Sequence, residues 1–258
     1  MVSGVTMMAA HSKKLTAENL PTTPASAVRL RFFQPSTKPV YTSTELIETP
    51  WGWCQVDGQL GQTHADVIDA MMVTAIRLFK EDDGRLQLLI DPYAVRKVVG
   101  GGSQCSYKGL CDRLDDIMRC LVRWESKCGR LAGVGHIIDA YTKSKETRHN
   151  PFGGQRELWK VTIGAAWAKL IEDDLGLYYD PVVIAKLNHG ISKAVARIML
   201  SHDPKRQPHG INIETMLDWL CINKDARRDA RRNLKKYAPE LESVGVIVSS
   251  GKIKVRQP

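Results

Sequence analysis

Apolar residues along this chain recur at helical spacing and then at alternate positions, in an order that appears twice. Val67, Met71, Ala75 and Phe79 lie four apart and predict a helix over residues 63–79, closed by Glu81-Asp82-Asp83-Gly84. Leu86-Gln87-Leu88-Leu89-Ile90 reads as a strand, and Asp91 with Pro92 opens a short helix to Val99. Leu110, Leu114, Ile117, Leu121 and Trp124 follow at spacings of four and three, which predicts one long helix from Ser103 or Ser106 to about Ser126. Residues 129–140 are rich in Gly and β-formers. A polar basic stretch, 142–154, separates them from a returning strand, residues 158–163, giving a hairpin with a long tip.

The same order returns at the C terminus. Residues 210–213 read as a short strand and residues 214–222 as a brief apolar helix. Asn223 caps a second helix over 224–237, and Pro239 ends it or starts a new short one. Val246-Ile247-Val248 and Lys252-Ile253-Lys254-Val255 form a hairpin around Ser249-Ser250-Gly251. At about 100° per residue, Lys224, Arg228, Arg231 and Lys235 share one sector of the second helix, flanked by Arg227 and Arg232. Ala226, Ala230, Leu234 and Tyr237 form a stripe turned away from it. Strand, helix, turn, helix and hairpin is the order of a winged helix, whose second helix would lie in a DNA major groove. The expected fold is α+β and helix-rich: a disordered N-terminal arm (1–44), a first winged-helix domain (45–175) and a second (176–258). The arm is expected from its Thr, Ser, Ala and Pro content, with Pro21, Pro24, Pro35 and Pro39 breaking any helix.

Charge sharpens this picture. The chain has 258 residues and a net charge of +9, and residues 223–258 alone carry two-thirds of that excess. A basic helix beside a basic hairpin points to a polyanion, with nucleic acid first. The hydrophobic share of 43% is that of an ordinary globular protein, and no apolar run reaches the ~20 residues of a membrane span. Cys54, Cys105, Cys111, Cys120, Cys128 and Cys221 include no Cys-x-x-Cys pair, so reduced thiols in the cytoplasm are expected and no metal site. Gly100-Gly101-Gly102 lacks the Gly-Lys-Ser/Thr of a phosphate loop and reads as a turn. Asp112, Asp115 and Asp116 read as a solvated helix face. His64, His136, His149, His189, His202 and His209 are scattered singly, without the paired arrangement of a nicking enzyme. No catalytic residue and no cofactor is therefore expected, and the protein is read as a non-enzyme.

The second half resembles the replication initiators of broad-host-range plasmids, of the IncQ RepC type and more distantly the IncP type. The resemblance rests on Tyr178-Tyr179-Asp180-Pro181 leading a helix, the run 192–199, the unit 211–222, and the basic helix followed by Pro239-Glu240-Leu241, Val244-Gly245 and a final hairpin. In the first half, residues 62–70 are similar to that family's opening helix. The resemblance implies a plasmid replication initiator that binds directly repeated origin sites (iterons) in duplex DNA, opens the origin and recruits host proteins. The implied partners are double-stranded DNA, host replication-initiation and helicase-loading proteins and, as an open option, a second copy in a homodimer. Carried onto this chain, the DNA-binding residues are Lys224, Arg227, Arg228, Arg231, Arg232, Lys235 and Lys236, with Lys252 and Lys254 in the wing. In the first domain they are Tyr107, Lys108 and Arg113 on the helix and Lys143, Lys145 and Arg148 in the hairpin. A winged-helix transcriptional regulator, or repressor, binding an operator is the alternative on the same fold.

Overall fold

The computed structural model describes residues 6–8, 15–43, 45–101, 105–150, 153–203, 205 and 208–256. Parts of the expected N-terminal arm, Gly102, Ser103 and the Pro151-Phe152 tip lie outside the described residues. The chain is a mixed α and β structure with small antiparallel sheets around two hydrophobic cores, one drawn from residues 20–171 and the other from 184–253.

The N-terminal segment is the first departure from expectation. β1 (Thr6–Met8) and β2 (Thr23–Pro24) flank a later strand, and α1 (Ala25–Arg29) follows directly. Ala25, Ala27, Leu30, Phe32 and Phe33 are buried, so residues 20–33 form a strap docked against both cores and not a disordered arm. The reason is physical: four prolines exclude a long helix, but five apolar side chains over nine residues still find a groove. The Phe32 ring packs 5.3 Å from Trp124 and 5.7 Å from Trp167. Backbone bonds fasten the strap. Ser26 N–H donates to Asp174 Oδ2 at 2.5 Å, and the Cys54 thiol donates to the Leu30 carbonyl at 2.8 Å. Burial pushes that thiol up to about 12. α1 ends in a Schellman turn, Phe32 N–H to Ala27 O and Arg31 N–H to Val28 O, both 3.2 Å. Arg31 takes the left-handed position, φ 61°, where glycine is usual, at a cost of ~1 kcal/mol.

β3 (Leu46–Thr49) and β4 (Gly52–Asp57) form a hairpin, and α2 (Gln62–Thr74) leads into β5 (Arg77–Lys80) and β6 (Leu86–Ile90). The helix expected to reach Phe79 therefore stops five residues earlier. Arg77 to Lys80 pair instead with Leu89 to Leu86, and the acidic turn 81–84 joins two strands. α3 (Pro92–Val99) matches expectation, with Asp91 Oδ1 accepting from Tyr93 N–H at 2.9 Å. α4 (Tyr107–Arg119) is shorter than expected, because β7 (Leu121–Ser126) takes up its last turn. Val122 and Trp124 alternate inward there, a period of two that overlaps the 4-3-4-3 helical spacing. β8 (Ala132–His136) completes the sheet β3-β4-β7-β8. β9 (Ile138–His149) and β10 (Gln155–Ile163) pair from Ile138↔Ile163 out to His149↔Gln155. The expected long loop is thus mostly strand. α5 (Ala165–Asp173), β11 (Gly176–Tyr178) and α6 (Pro181–Ala185) lead to α7 (Gly190–Leu200).

The C-terminal elements are β12 (Ile211–Asn212), α8 (Ile213–Trp219), a 3-10 turn (Lys224–Ala226), α9 (Arg227–Lys236), α10 (Ala238–Ser243), β13 (Val246–Ser249) and β14 (Lys252–Val255). Their sheet has the order β12-β14-β13. The first core contains the same sequence of elements: α2, β6, α3, α4, β9, β10, with β6-β10-β9 adjacent in that order. In both, the strand ahead of the helix pair lies beside the last strand, and the intervening hairpin strand is outermost. The first module differs by β5 added beyond β6 and by the β7–β8 hairpin inserted after α4, where the second has the short α10.

The two cores are joined by a buried ionic network. Arg197 of α7 donates to Asp66 at 2.8 Å, to Asp69 at 2.7 Å and to Gln62 at 2.8 Å, all on α2. Lys193 pairs with Asp66 and donates to the Ala185 carbonyl at 3.0 Å, and Tyr179 OH donates to Asp69 at 2.8 Å. Burial alone would lower the Arg197 pKa, but Asp69 and Asp66 more than offset it and hold the guanidinium charged.

An aromatic contact sits at the same junction. The His202 ring stacks on Trp219 at 5.4 Å, Trp51 meets both edge-on, and His202 Nδ1 lies 2.7 Å from the Ile198 carbonyl. Burial lowers the His202 pKa, the Ile198 carbonyl opposes this and the Arg29 charge adds to it. His64 is also held down, chiefly by burial. The unfolded chain, with ordinary imidazoles near pKa ~6.5, then binds more protons than the folded one as pH falls. Stability is expected to hold above about pH 7 and to fall progressively as the pH drops below about 6.5, where the unfolded imidazoles take up protons first. Urea unfolding across that window checks this, and His202→Phe is expected to flatten the slope; an identical slope in the variant would remove His202 from the balance.

Candidate nucleic-acid interface

The C-terminal helix pair is built by local chemistry. Asn212 Oδ1 accepts from Glu214 N–H at 2.8 Å and starts α8. α8 ends at a left-handed Cys221, φ 49°, with Ile222 N–H returning to Leu217 O at 2.9 Å. This sharp turn sets α9 across α8. Ala230 and Leu234 are buried, while Ala226 is exposed and Tyr237 half-buried, so the apolar stripe is narrower than its spacing suggests. Pro239 stands in a new short helix, as one of the two expected outcomes has it.

The basic side chains of the 3-10 turn and α9 divide into two groups. Arg227 is drawn back onto α8: it donates to Asp218 at 2.5 Å and to the Ile222 carbonyl at 3.1 Å. Arg231 grips Glu214 with both ends of its fork, at 2.5 and 3.1 Å, and this bond lowers the Glu214 pKa. These two orient the helix pair, and the acids that hold them escaped the sequence reading; the signal available was Glu214 and Asp218 spaced four apart on α8. Lys224, Arg228 and Lys235 are exposed and make no ion pair among the described residues. Arg232 pairs only with Asp229, at 3.0 Å across an exposed surface. Helical geometry puts Arg228 and Arg232 opposite the buried Ala230 and Leu234, so these two project furthest. Lys236 lies 5.2 Å over the Tyr237 ring. In the hairpin, Ser250 and Gly251 both have positive φ, the tight turn that joins Ser249 to Lys252. Lys252 is exposed and Lys254 half-buried on the same strand face.

The first module offers less. Ser106 caps α4 through Gly109 N–H at 2.9 Å, and Tyr107 is exposed, edge-on to Trp159 at 5.3 Å. Lys108 is bound to Asp112 at 2.8 Å, and Lys143 to Glu157 at 2.8 Å. Arg113 corrects the expectation of a DNA-facing side chain: it is half-buried, and its charge acts on His64 and Lys193 at the module junction. The acidic face expected to be solvated is partly engaged, since Tyr141 OH donates to Asp115 at 2.9 Å and Asp116 lies 3.4 Å from His64 Nε2. Lys145 and Arg148 remain exposed on the long hairpin. Arg156, opposite Arg148 in register, was missed; it sits 3.5 Å from Asp91 and 4.4 Å over the Tyr93 ring.

No group of three or more His, Cys, Asp or Glu side chains that could hold a metal ion occurs among the described residues. Among the described residues no helix is long and apolar enough to cross a membrane. Compared with family models, curated proteins and solved structures, the chain matches none.

Proposed function

We propose that this chain is a duplex-DNA-binding protein built of two tandem winged helices, and that it acts as a plasmid replication initiator on directly repeated origin sites. The observation that carries the reading is the repeated strand order, β6-β10-β9 and β12-β14-β13, each around a helix pair. In the second module Lys224 of the 3-10 turn and Arg228, Arg232 and Lys235 of the outer helix are turned to solvent beside a wing bearing Lys252 and Lys254. Arginine forks bond guanine edges or phosphates, and the lysines add point charge along the backbone. The first module, with most of its cations already paired, holds phosphates through Lys145 and Arg148 and sets register more than it reads sequence. Two modules on one chain raise each other's effective concentration on the duplex. Origin opening then draws on binding energy spent in deforming DNA, with no bond-making chemistry asked of the protein. Host replication-initiation and helicase-loading proteins are the partners such a role requires.

Selection of bound duplexes from a random library, near physiological salt, tests this. One asymmetric motif of roughly two helical turns is expected. A short palindrome would favour a dimeric operator-binding regulator, and no enrichment would remove the DNA-binding reading altogether.

A further inference from the structure

A cleft of about 340 Å³ lies between the two modules, beside the turn that precedes α9. Phe32 of the strap, Ile47 and Val56 of the β3–β4 hairpin, Leu60, and Ile222 and Ala226 of the C-terminal module give it an apolar lining. Its polar rim divides into spent and unspent groups. Gln34 is used by the Val40 backbone at 2.6 and 3.1 Å, Ser36 by Lys38, and Thr42 by the Val56 carbonyl at 2.9 Å. The unspent groups are Arg31 and Asn223. Arg31 Nε is buried and has no hydrogen-bond partner, an expensive state for a charged side chain. Asn223 stands at the cap position of the 3-10 turn yet makes no capping bond with its side chain. Arg31 also holds a left-handed backbone conformation that glycine would take without strain. A charged side chain that lines a cavity with its guanidinium engaged by no ion pair among the described residues is the arrangement expected of a ligand contact.

We propose that this cleft binds an amphipathic monoanion, an apolar ring or short chain ending in a carboxylate. The Arg31 guanidinium pairs with the carboxylate, the Asn223 amide supplies a second donor, and the apolar walls take the body of the ligand. Arg31 is the single cation of the lining, and the Glu45 carboxylate at the rim disfavours a second negative charge on the ligand. Such a ligand touches the strap, the first module's hairpin and the turn before α9 at once, and so ties the basic helix to the first core.

The test is calorimetric titration of the full chain, without DNA, with 2-naphthoate and its neutral isostere 2-naphthamide. Saturable one-site binding of 2-naphthoate is expected, weaker by about tenfold or more for the amide and for Arg31→Gly. Arg31→Gly is expected to fold normally, because glycine suits that backbone; Arg31→Asn, also tolerant of left-handed φ, serves as the second uncharged variant. Ala226→Phe, which fills the cleft, is expected to lose both ligands. Absence of saturable 2-naphthoate binding, or equal affinity in wild type and the uncharged variants, overturns the proposal. Since DNA takes no part, failure of the DNA-binding reading leaves this result unaffected.

Discussion

Arg197→Ala is expected to destabilise the protein by about 3–5 kcal/mol. The side chain is 3% exposed and answers two carboxylates, Asp66 and Asp69, that are equally buried. Removing it leaves two anions facing one cation, Lys193, whose own pKa is lowered, chiefly by burial. Water cannot reach the stranded charges without opening the junction, so the cost falls on the contact between the cores. The C-terminal core, residues 184–253, has its own buried cluster including Val195, Leu217, Leu234 and Ile253. Equilibrium urea unfolding is therefore expected to show one transition for the wild type and two for the variant. A loss below about 1 kcal/mol with one transition retained would mean that apolar contacts alone hold the modules together.

The second large effect concerns DNA. Arg228→Ala combined with Arg232→Ala is expected to weaken binding to a selected site by roughly 30-fold or more, at about 1–3 kcal/mol for each base-reading arginine. Both side chains are exposed, and Arg232 has only a surface partner, so thermal unfolding is expected to stay within about a degree or two of wild type. Arg231→Ala is a different experiment, because it also frees Glu214 and loosens the packing of α9 on α8. Site affinity within twofold of wild type in the Arg228/Arg232 variant would reject α9 as the reading helix.

The C-terminal unit was legible almost element by element. Asn212, Pro239 and Ser250-Gly251 mark its boundaries with residues whose backbone or capping chemistry allows little else, whereas Asn223, expected to cap the basic helix, makes no side-chain capping bond and is followed by a 3-10 turn before α9 starts at Arg227. The first module was less legible, for two identifiable reasons. Trp124 belongs both to the helical spacing through Leu121 and to the strand alternation Val122-Trp124, and pairing of β7 with β4 and β8 chose the strand. Phe79 extends the spacing of α2, but antiparallel pairing with β6 supplied backbone partners that a lone helical end could not.

The sequence by itself determined the local grammar: where apolar faces lie, where helices are capped, and that positive charge concentrates in the last quarter of the chain. It does so because caps, turns and periodicity depend on neighbours within a few residues. Only the tertiary structure decided which cations remain available. Arg227 and Arg231 are claimed by α8, Arg113 faces the junction, and Arg228 and Arg232 stay exposed, Arg232 with only a surface pair to Asp229 among the described residues. It likewise decided that a proline-broken segment becomes a strap, and that Arg197 meets Asp66 and Asp69 about 130 residues away. Such pairings depend on which faces meet once the elements pack, and no local pattern carries that information.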